Sequence, residues 1–177
     1  MKKLKEIMKK RNAKIVIFSV MIWTIVIFAF SLQPGEISSN TSLGFGRWLL
    51  ETFVPTLLEY MESLSVNELA QWHHVLRKCA HFTEYMILGM LAVNAMAALA
   101  QNVKKWCWWY PWCYCILVAW VDETIQKFVP GRAGMMKDVC LDSAGALVGT
   151  LLLFGILYQS CIRKNLTDGP DASKTKL

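Results

Sequence analysis

Four long apolar blocks constrain the fold of this 177-residue chain more than any other feature. Few or no ionisable side chains interrupt them, and they cover residues 15–32, 80–100, 106–121 and 139–158. A membrane-spanning α-helix needs about 20 predominantly apolar residues, and lipid offers backbone groups no hydrogen-bond partner outside the helix itself. The third block is short, so its helix is expected to continue through residues 122–128. The blocks therefore predict an all-α integral membrane four-helix bundle.

The composition supports a membrane protein. Hydrophobic residues make up 55% of the chain and charged residues 18%, whereas about 25% charged residues is typical of a soluble domain. The first block is longer than the apolar region of a typical signal peptide, and no small-residue cleavage motif follows it. We therefore expect the first block to be a retained spanning helix.

Lysine and arginine residues are distributed unequally between the two sides of the predicted bundle. Four spans place both termini on one side, which carries 13 Lys and Arg residues, while the other side carries six. Because Lys and Arg favour the cytoplasmic side, we predict that both termini are cytoplasmic. The net charge of +6 then reflects topology and attraction to the lipid bilayer, and no nucleic-acid partner is predicted.

The blocks divide the chain into three regions. Residues 1–14 form a basic cytoplasmic lead, residues 15–158 a four-span membrane domain, and residues 159–177 a polar cytoplasmic tail that we expect to be disordered. Cys79 and Cys140 both fall near the outer ends of spans. Whether they form a disulfide stays open.

The loop between the first and second spans is predicted to contain an amphipathic helix. Apolar side chains recur at helical spacing over residues 48–64, interrupted by Pro55. Ser65 and Glu68 match a capping box. A second helix is therefore expected to begin at Val66 and to run into the second span.

Ionisable and polar side chains gather where three predicted spans meet the outer side. At the start of the second span, Lys78, His81, Glu84 and Tyr85 follow at i, i+3, i+6 and i+7, which places them on one face of a helix. The end of the third span and the start of the fourth supply Asp122, Glu123, Gln126, Arg132, Asp138 and Asp142. Because these three ends lie on the same side, we expect the groups to converge on one site.

The fourth span is predicted to turn two carboxylates toward the other helices. Asp138 and Asp142 are four residues apart, and the same stripe continues through Gly145 and Gly149, a G-x-x-x-G pattern that lets helices approach closely. A charged side chain aimed at lipid costs roughly 2.5–3.5 kcal/mol at mid-bilayer. Both aspartates are therefore expected to face the interior of the bundle.

These residue types suit acid–base chemistry and the binding of anionic groups. The catalytic candidates are His81, Glu84, Asp122 and Asp138. The substrate-binding candidates are Lys78, Tyr85, Glu123, Gln126, Arg132 and Asp142. In these roles His81 with Glu84 would move a proton, Lys78 and Arg132 would bind an anionic group, and the aspartates would position them or a divalent cation. The sequence assigns no metal ligands and leaves any cofactor open.

Two other classes of function stay open beside chemistry at this site. The charged groups could be structural, within a non-catalytic membrane scaffold or binding module. They could also belong to a small proton-coupled transporter, although they gather at one side rather than lining the whole span. The sequence decides neither between catalysis and binding nor the oligomeric state.

At these residues the chain resembles the VanZ-like family of bacterial membrane proteins. Three motifs carry the resemblance: K-x-x-H-F-x-E-Y-x-x-L-G from Lys78, D-E-x-x-Q-x-F-x-P-G-R from Asp122, and D-x-x-x-[N/D]-x-x-G-x-x-x-G from Asp138. Family members often have His directly before Gln126, where this chain has Ile125. A mechanism that needs a second imidazole at that position therefore does not suit this protein.

The resemblance implies a bacterial plasma-membrane protein that lowers susceptibility to lipoglycopeptides such as teicoplanin. These drugs are lipidated and bind cell-wall precursors. The resemblance thus implies a site outside the cytoplasm that acts on or binds a component of the cell envelope. A lipid-linked envelope precursor and the lipoglycopeptide itself are both candidate partners.

Overall fold

A computed structural model of the protein describes residues 2–56, 65–99 and 109–167. The regular structure of this part of the chain is helical, with α1 at Lys2–Ser31, α2 at Gly35–Phe53, α3 at Val66–Leu99, α4 at Trp109–Gln126 and α5 at Met136–Thr167. The prediction of an all-α protein is confirmed for these residues.

Three of the helices are long and apolar enough to cross a membrane. The candidate spans are Ala13–Ser31, Asn67–Leu99 and Met136–Gln159. Large apolar side chains point outward along them, as where Phe18 and Ile25 of α1 are 62% and 63% exposed. Lipid rather than water is the natural surrounding for such a surface. The first, second and fourth predicted blocks therefore form membrane-type helices.

The third predicted block forms α4, which is 18 residues long. It ends at Gln126, so the helix does continue past Val121, although it stops short of Phe128. Buried Asp122 and Glu123 occupy its last turns. Because α4 is not among the three candidate spans, a fourth crossing stays a prediction.

Helices α3 and α5 pack backbone to backbone along a stripe of glycines. A Cβ atom added to Gly145 would strike the carbonyl of Phe82, and one added to Gly149 would strike the carbonyl of Met86. The predicted close approach through G-x-x-x-G is thus confirmed. Gly145 lies opposite Phe82 and Gly149 lies opposite Met86, so residue numbers increase together along the two helices. Helices α3 and α5 therefore run in the same direction. We call this contact, with Gly89 of α3 opposite Ala146, the glycine seam.

The C-terminal ends of α1 and α4 lie side by side. Ser31 donates a hydrogen bond to Asp122, and farther along the same two helices the hydroxyls of Thr24 and Tyr114 are hydrogen-bonded at 2.8 Å. Thus α1 and α4 also run in the same direction. A short connection, residues 127–135, joins α4 to α5, which makes these neighbours antiparallel. The ends of α1 and α4, the start of α5 and the adjoining part of α3 together form what we call the polar end.

The apolar core begins directly beside the polar end. Tyr85 and Leu88 of α3, Ala119 of α4 and Ala146 of α5 are all fully buried and belong to one cluster with Ile27 of α1. Small residues on α4 and α5 let the four helices converge closely. The core therefore holds the helix ends at fixed positions.

The connection after α4 is anchored to the start of α2. The N–H of Gly35 donates to the carbonyl of Pro130 at 3.1 Å. Gly131 has a φ of 74°, in the left-handed region that glycine adopts without steric cost. A Cβ on Gly35 would strike the Gly131 carbonyl, so both glycines are needed for this close passage.

The connection between the first and second blocks contains a helix, although α2 begins at Gly35, well before the predicted segment at residues 48–64. Helix α2 ends at Phe53, just before Pro55, and Phe53 is 71% exposed. The rest of the predicted amphipathic segment, residues 57–64, lies outside the described residues. Helix α3 begins at Val66 as predicted, because Glu68 accepts hydrogen bonds from the Ser65 N–H at 2.9 Å and from its hydroxyl at 2.6 Å.

The end of the chain differs from the predicted boundary. Helix α5 continues to Thr167, past Tyr158. No helix-breaking residue occurs before Gly169, which explains why the helix continues. Residues 168–177 lie outside the described residues. Cys79 and Cys140 are free thiols.

Candidate functional site

A histidine and two aspartates meet at the polar end. One ligand-type atom from each of His81, Asp122 and Asp142 lies within 4.8 Å of the others. The residues come from α3, α4 and α5, and both aspartates are 0% exposed. We call these three residues the His–Asp–Asp cluster. The predicted convergence of groups from separate helices therefore occurs, with these three at its centre.

Hydrogen bonds from α1 and α4 hold the carboxylate of Asp122. Ser31 donates to Oδ1, and the Gln126 amide donates to Oδ2 at 3.1 Å and to the Ser31 hydroxyl at 3.3 Å. The orientation of Asp122 is thus fixed by two donors. Sequence reasoning identified Gln126 but missed Ser31, whose one signal was a small polar residue at the end of an apolar block.

Asp142 is held very differently from Asp122. Both of its carboxylate oxygens are buried and have no hydrogen-bond partner among the described residues, and the same is true of the Nδ1 atom of His81. The hydroxyl of Tyr85 lies close to Asp122 without reaching hydrogen-bond geometry. A buried carboxylate without a donor is costly unless a proton or a cation compensates it. The described side chains supply neither to Asp142 by direct contact.

A pocket of about 160 Å³ opens beside the cluster. Its wall combines α3, the start of α5 and the connection after α4, and is lined by Arg77, Lys78, His81, Gln126, Gly131, Arg132, Ala133, Met135, Asp138 and Leu141. His81 belongs to both the cluster and the pocket wall. A ligand in the pocket would therefore lie next to the imidazole.

Three cations and one carboxylate face this pocket. Lys78 forms an ion pair with Asp138, which joins α3 to α5 and compensates the charge of both. Arg77 makes no hydrogen bond and no ion pair with another residue in the described part of the chain. Sequence reasoning missed Arg77, although it precedes His81 by four residues and so shares its helical face.

Arg132 binds the end of α1. Its Nε atom donates to the carbonyl of Gln33 at 3.0 Å, and Nη2 donates to the carbonyl of Phe30 at 2.8 Å. Burial lowers the pKa of the Arg132 guanidinium, and the negative charge of Asp122 acts in the opposite direction. The group stays protonated near neutral pH because arginine starts from so high a value. Arg132 thus contributes positive charge to the pocket while fastening α1 in place.

The two predicted glutamates lie outside the cluster. Glu123 is 4% exposed and accepts the N–H of Met135 at 2.8 Å, which ties the connection back to α4. Glu84 is half-buried, and its main-chain carbonyl accepts the indole N–H of Trp23 at 3.0 Å. No hydrogen bond joins His81 to Glu84 among the described residues, and His81 is grouped with Asp122 and Asp142 instead, because α3 turns the imidazole toward α4 and α5.

Comparison with known proteins identifies a family for this chain. A protein-family model described as VanZ/LLP1 matches residues 16–158. The matched range begins in α1 and ends in α5, and it contains all ten predicted site residues. No curated protein and no solved structure matches the chain.

Proposed function

The chain belongs to the VanZ/LLP1 family, and from this premise we propose that its pocket binds the anionic headgroup of a lipid-linked component of the cell envelope. By binding or modifying this component, the protein lowers susceptibility to lipoglycopeptides such as teicoplanin. The proposed binding site for this ligand is the pocket at the polar end.

The observation that carries the proposal is the charge of the pocket wall. Arg77, Lys78 and Arg132 line it together with one carboxylate, Asp138. Even with Lys78 paired to Asp138, two guanidinium groups remain. Guanidinium groups form two parallel hydrogen bonds with phosphate or carboxylate oxygens, which makes them the usual choice for such ligands. A phosphate or pyrophosphate headgroup suits this wall better than a neutral or cationic ligand does.

The position of the pocket, near the ends of two apolar blocks, supports a lipid ligand. Lys78 comes just before the second apolar block, which starts at residue 80, and Asp138 comes just before the fourth, which starts at residue 139. Charged side chains at such positions lie near the membrane–water interface. The pocket would therefore meet lipid headgroups rather than acyl chains.

A fourth crossing by α4 is part of the proposal. Helices α3 and α5 run in the same direction, so if both cross the membrane the chain must cross back between them. At 1.5 Å per residue, the 18 residues of α4 span about 27 Å, close to the roughly 30 Å of a hydrocarbon core. Trp109 and Tyr110 at its start are typical of a membrane interface.

With four crossings, both termini lie on one side of the membrane. The excess of Lys and Arg on that side favours the cytoplasm of a bacterial cell. The polar end is then exposed outside the plasma membrane, where cell-wall precursors and lipoglycopeptides are found. In this arrangement His81 lies between the bound headgroup and the buried aspartates.

Arg77 is the best position for testing the role of charge, because it makes no hydrogen bond to any other residue that the structure describes. The purified protein is titrated in detergent with a polyprenyl phosphate and, separately, with the neutral polyprenol. We expect the phosphate to bind more tightly, and Arg77→Gln to weaken that binding by about tenfold or more. Arg47→Gln on the exposed surface of α2 is the matched control and should leave binding unchanged. Equal affinity for the two lipids would contradict the proposal.

The link to lipoglycopeptides is tested in cells. Expression in a susceptible bacterium is expected to raise the minimal inhibitory concentration of teicoplanin, and His81→Gln and Arg77→Gln are expected to remove the increase at unchanged membrane abundance. Loss of abundance in both variants would favour the structural alternative instead.

A non-catalytic scaffold is the second candidate function. The observation in its favour is that several polar contacts of the site join different helices: Lys78 with Asp138, Arg132 with the end of α1, and Gln126 with Ser31. A proton-coupled transporter finds less support, because the cluster and the pocket both lie at one end of the described bundle.

A further inference from the structure

We propose that His81, Asp122 and Asp142 bind a divalent first-row transition-metal ion, of which Zn²⁺ is the representative. This site lies at the inner side of the pocket and does not depend on which lipid the pocket binds. The inference rests on the geometry of the three side chains and on the unpartnered oxygens of Asp142.

The donor atoms are close enough for one ion. They lie within 4.8 Å of one another. Zinc binds nitrogen and oxygen ligands at about 2.0–2.2 Å, so two donors on one ion are separated by about 3.3 Å in tetrahedral geometry and by about 4.4 Å at most. Binding of one ion therefore requires the three side chains to turn slightly toward each other. The three donors come from three helices that the glycine seam and the core hold together.

The charge of the cluster also favours a dication. Asp122 and Asp142 are both completely buried, and two neighbouring carboxylates cannot both stay ionised in such surroundings without compensation. One divalent ion neutralises both. It would also supply the partner that both oxygens of Asp142 lack among the described residues.

The neighbours of the cluster are arranged as the supporting groups of a metal site usually are. Carboxylate ligands are normally hydrogen-bonded by surrounding side chains, which fix their orientation. Ser31 and Gln126 do this for Asp122. No side chain in the described ranges donates a hydrogen bond to Asp142, so its lone pairs are available for an ion.

The donor types select the class of metal. An imidazole nitrogen with two carboxylates suits zinc, manganese or iron, whereas calcium and magnesium prefer oxygen alone. Three protein ligands leave at least one coordination position open. Because His81 also lines the pocket, that position is expected to face the ligand, where a bound metal lowers the pKa of water or polarises a phosphoryl oxygen.

A shared proton is the competing explanation for the buried aspartate pair. It requires no metal, and it predicts that added zinc neither binds at His81 nor stabilises the fold. The two explanations therefore predict different zinc contents and different unfolding temperatures, and both can be measured without a lipid ligand.

The test uses the full chain purified in detergent and stripped with a chelator. Zinc is added back, the bound metal is counted, and the unfolding temperature is recorded. We expect one zinc ion per chain at this site and a rise of the unfolding midpoint by about 5 °C at saturating zinc. His81→Gln and Asp142→Asn are each expected to lose this ion and the stabilisation. Co²⁺ should give an absorption spectrum that is lost in the same variants.

Matched controls separate this site from other zinc ligands in the chain. Glu123→Gln alters a buried carboxylate next to Asp122 but outside the cluster, and it should keep the ion. Replacing both His73 and His74 by Ala removes other imidazoles of α3 and should also keep it. Circular dichroism establishes that each variant is folded, and Asp122→Asn replaces any cluster variant that is not.

Equal zinc content and equal stabilisation in the wild type and the cluster variants would overturn the proposal, as would a wild type that takes up no zinc. Neither result bears on the lipid titration, because no lipid ligand is present here. Conversely, if the protein did not bind polyprenyl phosphate, the zinc content expected in this experiment would be unchanged.

Discussion

The glycine seam and the polar end are two contacts between the same helices, α3 and α5, and they differ in the kind of group that each brings together. Along the seam, α3 and α5 meet through Gly145 and Gly149 with main-chain atoms in contact, and the contact involves no charge. At the polar end the same two helices carry Lys78, His81, Asp138 and Asp142 toward each other. The seam brings the helices close, and this closeness is what forces the charged side chains into one cluster.

The comparison teaches that the site depends on packing elsewhere. Asp142 lies one turn before Gly145, so the rotation of α5 that buries the glycine against α3 also buries the carboxylate. Loss of the seam should therefore cost more than loss of any single polar contact.

The largest effect is expected in the seam. Gly149→Ala places a methyl group against the Met86 carbonyl, which is a main-chain group that cannot move aside cheaply, and should destabilise the protein by about 3 kcal/mol or more. Gly155→Ala is the matched control, because no atom of the described residues outside its own helical turn lies within 4 Å of the added Cβ, and it should be neutral or stabilising by about 0.5–1 kcal/mol. Thermal unfolding in detergent and membrane abundance measure both variants. Similar behaviour of the two would show that the seam is not a close backbone contact.

An intermediate effect is expected at Ser31. Its replacement by Ala removes a donor from buried Asp122 and an acceptor from Gln126, and should cost about 1–3 kcal/mol. Ser19→Ala, on the same helix, removes only an exposed hydroxyl bonded to the Ile15 carbonyl, and should stay within about 0.5 kcal/mol. Chemical or thermal unfolding compares them. If Ser19→Ala were as damaging as Ser31→Ala, the buried link between α1 and α4 would not hold.

The smallest effect is expected for the ion pair across the pocket. A double-mutant cycle on Lys78 and Asp138, both changed to Ala, should give a coupling of about 0.5–1 kcal/mol because the pair is only partly buried. The pair of Arg47 and Glu51 is more exposed and should give about 0.3–0.5 kcal/mol, with stronger weakening by salt. A larger coupling in the exposed pair would reverse the expected ranking.

Much of the fold could be predicted from sequence because helical periodicity and block length are local properties. The apolar blocks, the start of α3 at Val66 and the glycine contact all follow from patterns within one helix. The identity of residues on one face, such as Lys78 and His81, follows in the same way. These features need no knowledge of how separate helices are placed.

The parts that could not be predicted depend on contacts between helices. The hydrogen bond from Ser31 to Asp122 depends on the placement of α1 beside α4. The hydrogen bonds from Arg132 to the end of α1 likewise depend on how separate parts of the chain are placed. Their spacing of three residues places His81 and Glu84 on one face of α3. The rotation of α3 against α4 and α5 nevertheless directs His81 toward Asp122 and Asp142. Sequence patterns fix a helix face, whereas the partners of that face follow from tertiary packing.

The central claim is that buried carboxylates from separate helices are neighbours at the polar end, and a double-mutant cycle on Asp122 and Asp142 tests it most directly. Asp122→Asn, Asp142→Asn and the double variant are compared by unfolding in chelator-treated detergent solution. The described geometry predicts that the effects are not additive, with a coupling of about 1 kcal/mol or more. Additivity within about 0.5 kcal/mol would mean that the two carboxylates are not neighbours, and it would contradict the proposed site.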